Sequence, residues 1–182
     1  MRNRSNHGQV CIVNQMRTLW EQHVYWTRFF IVSTAAGLSD IGVVTDRLLR
    51  NPKDFARVLI PFYGAETAGQ FEELFTEHLK IGGDLVNAAK NDDSKKADEL
   101  RRNWYENADE IACFLASINP FWNSSKWQEM MYSHLNMTEK EAALQLQGDY
   151  KASIDMFDSI EQEALMMADY MACGIVRQFS YW

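Results

Sequence analysis

The sequence predicts an all-α protein, a bundle of three similar helical hairpins packed up-and-down, and three observations predict it. Apolar side chains recur at i, i+3, i+4 and i+7 through most of the chain, the pattern of an inward helical stripe. No run alternates apolar and polar residues between turn signals, as a half-buried strand would. Three histidines, His23, His78 and His134, follow one another at intervals of 55 and 56 residues, each preceded by a large apolar pair and followed by Val or Leu. Such self-similarity is the mark of an internal repeat.

Residues 1–14 are polar apart from a short Val10–Val13 run and read as a flexible N-terminal arm, leaving 15–182 as a single bundle domain. Met16, Leu19, Trp20, His23, Trp26, Thr27 and Phe30 then share one helical face, and Gly37 with Ser39 signals a stop. Asn51-Pro52 opens the next helix, Asn as a cap and Pro in the first turn, and Pro61 with Gly64 ends it. A helix over 66–90 carries Phe71, Leu74, Phe75, His78, Ile81 and Leu85 inward, with Gly82-Gly83 allowing close approach of a neighbour. After the polar turn at 91–94, Trp104, Ile111, Phe114, Leu115 and Ile118 define another inward face, which Asn119-Pro120 terminates. Ser124 or Ser125 starts the fifth segment, and Thr138-Glu139-Lys140-Glu141 reads as a capping box. The last helix reaches Gln178, with a break at Gly148. Turns near Leu38, Asp93 and Gly148 thus follow each histidine by about 15 residues, or some four helical turns.

Composition narrows the function. A chain of 182 residues, 47% hydrophobic and 13% aromatic, can bury a core without staples. Its net charge of −7 offers no field for a phosphate backbone, which argues against nucleic acid. Cys11, Cys113 and Cys173 are too few for a disulfide framework, and no secretory leader or stretch long enough to span a bilayer is visible, so a soluble cytoplasmic protein with no membrane partner is expected. Acidic bundles of this kind often self-associate, so a homo-oligomer is allowed.

The returning helices carry a second partial repeat, Ala108-Asp109-Glu110-Ile111-Ala112-Cys113 and Ala168-Asp169-Tyr170-Met171-Ala172-Cys173, with Asp54 as the nearest counterpart in the first hairpin. Two readings stand side by side. Inward imidazoles and carboxylates on facing helices are how bundles hold iron, manganese or zinc, and one ligand per helix from His23, His78, Glu110 and Asp169 would make such a site. Alternatively Arg28 pairs with Asp109 or Asp169 while Asn107, Glu110 and His134 join a satisfied polar network, giving a metal-free structural or interaction protein. The standard ligand spacings fail: the residues three before each histidine are Trp20, Phe75 and Met131, and those four after are Thr27, Gly82 and Thr138. Asp-x-x-x-Cys could add a thiolate to the first reading. A third class, a pocket enzyme, calls for an open cavity beside His23 or His78.

Leu19-Trp20-Glu21-Gln22-His23-Val24-Tyr25-Trp26-Thr27-Arg28, Arg47-Leu48-Leu49-Arg50-Asn51-Pro52-Lys53-Asp54, Asn107-Ala108-Asp109-Glu110-Ile111-Ala112 and Ser117-Ile118-Asn119-Pro120 together resemble a family of small uncharacterised bacterial all-helical proteins, over about residues 16–179. Members of that family carry the label acetylglutamate kinase. The label does not suit this chain: such kinases are α/β proteins with glycine-rich phosphate turns after strands, and Gly82-Gly83 sits inside a helical pattern. The chain is also distantly similar to duplicated four-helix metalloprotein-like bundles, which place an acid beside a histidine, as Glu77-His78 does.

Overall fold

The computed structural model describes residues 2–179, and every regular element among them is an α-helix: α1 (Arg2–Ala36), α2 (Ile41–Leu49), α3 (Asn51–Lys90), α4 (Ser94–Ile118), α5 (Ser124–Gln147) and α6 (Tyr150–Phe179). None of these helices is long and apolar enough to cross a membrane. The helix α1 extends through 2–14, where the sequence suggests an arm, because Ile12 lies one turn before Met16 and both are buried on the inward stripe.

The turns fall where backbone chemistry allows them. Asp93 accepts the Lys96 amide at 3.0 Å and caps α4, and Asn123 accepts the Lys126 amide at 2.9 Å and caps α5. Gly148 ends α5 in the left-handed conformation (φ 80°, ψ 9°). Two expected starts differ. Asn51 is inside α3 and is no cap; its side chain donates to the Leu19 carbonyl at 3.0 Å. Thr138 lies in the middle of α5, so its run of acids starts no helix, and Glu141 turns inward instead.

α3 is not straight. Gly64 takes φ 81°, ψ 166°, a conformation closed to residues with a Cβ, just after Pro61. Phe55 then meets Phe71 and Phe75 at ring separations of 5.9 and 5.4 Å. Sixteen residues of continuous helix would hold Phe55 and Phe71 about 24 Å apart, so the arms before and after Gly64 fold back on one another.

Neighbouring helices run antiparallel, as their short connections require. His78 meets Asn107 and Gly82 faces Trp104 between α3 and α4; Arg101 meets Glu139 between α4 and α5; Arg17 meets Asp169 and Tyr25 meets Glu161 between α1 and α6. Consequently α1, the second arm of α3 and α5 all point the same way. Each carries one of the three histidines.

The interior comprises two apolar clusters. The larger contains Trp20, Phe55, Phe71, Phe75, Trp122, Trp127 and the small-residue face of α6. The smaller joins Phe30, Ile31, Val44, Leu48, Leu79, Val86 and Ala142, and α2 closes it from outside. The histidines lie where the two clusters meet.

Candidate functional site, an imidazole-lined cavity

A cavity of about 220 Å³ opens above the histidine layer. His23, His78 and His134 all line it, together with Phe30, Ile31, Leu48, Leu79, Leu85, Val86, Trp104 and Ala142. Its origin is steric. The residues four positions after the histidines, Thr27, Gly82 and Thr138, also line it, and their small side chains leave the centre unfilled. Gly82 and Gly83 let α3 pass close to Trp104 and Phe30: a Cβ at these positions would lie 3.1 and 3.3 Å from the two rings. At the rim Arg101 grips Glu139 with Nε at 2.7 Å and with a second guanidinium nitrogen, and donates to Asp98 at 2.6 Å.

The three imidazoles are at most 3% exposed. Burial pushes the His78 ring down to about 3, against a smaller opposing effect of its Asn107 hydrogen bond, and pushes His134 down to about 4. His23 is also held well below the ordinary range, by burial first and then by the neighbouring imidazoles. All three are therefore neutral at pH 7, the form that binds metals and accepts hydrogen bonds.

Their partners differ. The Asn107 amide nitrogen donates to the Leu74 carbonyl at 3.2 Å, which turns Oδ1 toward His78 Nδ1 at 2.9 Å. An amide oxygen only accepts, so His78 carries its proton on Nδ1 and Nε2 keeps a bare lone pair. His23 and His134 meet Nε2 to Nε2 at 3.4 Å, one donating to the other, and both Nδ1 atoms are buried without a partner. Trp20 packs edge-on against His23, and Phe75 packs against both His23 and His78.

Of the residues read from the sequence as ligands, His23 and His78 share the cavity. Glu110 is exposed. Asp169 is also away from the cavity, forming a two-pronged surface pair with Arg17 at 2.6 Å. Arg28 pairs with neither Asp109 nor Asp169. It meets Glu141 and Ser153, and Ser153 donates to Gln145. Asp109 accepts from Gln128 and Tyr132 at the α4–α5 seam. The reason is rotational: Asp109 faces the groove between α4 and α5 and Asp169 the groove between α6 and α1, while Asn107, two residues before Asp109, faces the interior. The cysteines are all exposed, so the thiols of Asp-x-x-x-Cys also face away. Among the described residues no group of three or more His, Cys, Asp or Glu donors is arranged as it stands to hold an ion.

Sequence reasoning missed Glu141 and Glu163. Burial raises both to about 7, against Arg28 in the first case and against the Ser133 hydrogen bond in the second. Each is flanked on its C-terminal side by apolar residues, Ala142 and Leu144 for Glu141, Ala164 and Met167 for Glu163, and that framing was the available signal.

Compared with known family models, curated proteins and solved structures, the chain matches none.

Proposed function

We propose that this bundle is a binding protein for a small, largely apolar molecule, held in the central cavity with its one polar atom against the imidazoles. One observation carries the reading: an apolar-walled space of about 220 Å³ whose floor is three neutral imidazoles, one of them fixed by Asn107 with a bare nitrogen. A dry engineered cavity of about 150 Å³ already accepts benzene, so a substituted ring or short acyl chain fits. No charged group is free on the wall, since Arg101 is taken by Glu139 and Asp98. The descent of the chain from three related hairpins, each supplying one histidine, belongs to this reading, as does kinship with the helical family it resembles and the rejection of kinase chemistry.

The metal-free structural alternative is favoured by the mutual His23–His134 contact and by the Glu141–Arg28–Ser153–Gln145 chain, which pairs its charges internally. Thermal melting with toluene separates the two. A ligand that binds only the folded state raises the melting temperature with its concentration. We expect that rise in the wild type and its loss in Ala142→Leu, whose longer side chain occupies the space. No shift at saturating toluene would refute the binding reading.

A further inference from the structure

Superposing the repeat on the polar core shows a pattern in the outer partners of the imidazoles. Asn51, Asn107 and Glu163 are spaced by 56 residues and follow their histidines by 28, 29 and 29. All three are buried. Asn51 donates to the carbonyl of Leu19 and Asn107 to that of Leu74, in both cases the residue four before the histidine. These are equivalent positions of one framework. In the second hairpin it is complete, with His78 Nδ1 on Asn107 Oδ1. In the other two the matching atoms are left over: His23 Nδ1 with Asn51 Oδ1, and His134 Nδ1 with Glu163 Oε2, all buried and without partners.

Four orphaned polar atoms at two equivalent places, with the third place paired, call for a common state in which all three pairs form. Each pair would put a proton on Nδ1 and bare Nε2. Three bare Nε2 atoms facing one cavity cannot hydrogen-bond each other, for none of them has a proton to give. A single cation would satisfy all three at once. His23 Nε2 and His134 Nε2 are already 3.4 Å apart, near the roughly 3.3 Å between two imidazole nitrogens on a tetrahedral ion with bonds of about 2.0–2.1 Å.

We propose, building on the cavity reading above, that His23, His78 and His134 bind one divalent first-row transition ion such as zinc through Nε2. Asn51, Asn107 and Glu163 hold their Nδ1 protons, and the fourth position opens on the apolar cavity. Metal-bound histidines nearly always donate their other N–H to such an outer partner, and three imidazoles with one open position is a known zinc arrangement. The ion brings His78 into reach and exchanges the His23–His134 contact for two bonds to itself. Asn51, Asn107 and Glu163 act as positioning residues.

The test is Co(II) titration of the untagged wild-type chain, followed by visible absorption. One Co(II) per chain with the intense bands of a four-coordinate ion is expected, displaced by Zn(II). Glu163→Leu, which removes the acceptor, should weaken binding about 10- to 100-fold, and His134→Ala should abolish the bands. Absence of the bands, or bands unchanged in His134→Ala, overturns the proposal. Should His134→Ala fail to fold, X-ray absorption of the zinc-loaded wild type decides: three imidazoles in the coordination shell support the site and fewer overturn it. Toluene binding without metal binding would sink this inference alone, and metal binding without a toluene shift would sink only the apolar-ligand reading.

Discussion

The two sides of the histidine layer are built on opposite plans. Toward the start of the three co-directed segments, the residues three before each histidine are Trp20, Phe75 and Met131, all buried, and with Phe55, Phe71 and Trp127 they fill the interior. Toward the end, Thr27, Gly82 and Thr138 occupy the positions four after, and the interior is hollow. The same helices, in the same orientation, therefore give a packed half and an open half through side-chain volume alone. Protein interiors are otherwise close-packed, and a void next to polar groups forfeits dispersion contacts on every wall. A stable bundle keeps such a void at a cost, which the packed half offsets.

Substitutions should expose that asymmetry. The largest effect is expected from Gly174→Ala in the packed half, where a Cβ would overlap the indole of Trp122, itself buried in the α4–α5 connection. Overpacking against a rigid ring should cost about 3 kcal/mol, lowering the melting temperature by about 6–12 °C for a domain of this size. Gly83→Ala in the open half meets only the edge of Phe30 at 3.3 Å and should change stability by less than about 1 kcal/mol. Equal losses from the two would erase the contrast.

Next in size is the removal of a partner from the histidine layer. Asn107→Leu leaves His78 Nδ1–H buried and unpaired, and should cost about 1–3 kcal/mol by denaturant unfolding. A neutral outcome would show that the ring finds another acceptor.

The pH dependence sets the two kinds of buried group against each other. The histidines have folded values below the ordinary 6.5, so the unfolded chain takes up three protons that the fold refuses, and their contribution is lost as pH falls below about 6.5. Glu141 and Glu163 are raised to about 7, so the fold favours their protonated forms and their contribution is lost as pH rises from about 4.5 to 7. Between pH 6 and 5, three protons against two leave a shallow gain with pH, about 1.4 kcal/mol per unit. Below about 4.5 the carboxyls become protonated in both states and the histidines dominate, but His134 takes up its own proton in the fold near 4, so the loss steepens only to about 2–3 kcal/mol per unit. Urea midpoints measured from pH 7 to 4 check the break in slope, and a straight line across that range would contradict it.

The smallest effect is expected from Asp169→Asn. Its pair with Arg17 is nearly half exposed on both sides, and pairs of that kind contribute about 0–1 kcal/mol. The buried partner of Arg28 is Glu141 and not Asp169.

Much of this was written in the chain. Helical periodicity, the turns near Leu38, Asp93 and Gly148 and the break at Gly64 follow from local chemistry that tertiary packing does not override. The histidine spacing marked the residues that line the cavity. Rotation of the returning helices was not legible: Asp109 and Asp169 have apolar neighbours, yet a turn of roughly 100° per residue carries them into the interhelical grooves and brings Asn107 and Glu163 inward. Glu141 was hidden for a related reason, since Thr138-Glu139-Lys140-Glu141 has the local form of a cap and only the fold shows that α5 runs through it.

The most direct test of the account is the protonation state of His78, observed by long-range proton–nitrogen NMR of labelled imidazoles. A neutral ring with the proton on Nδ1 and a bare Nε2, unchanged from pH 8 to 5, is expected. A proton on Nε2, or titration near pH 6.5, would contradict it.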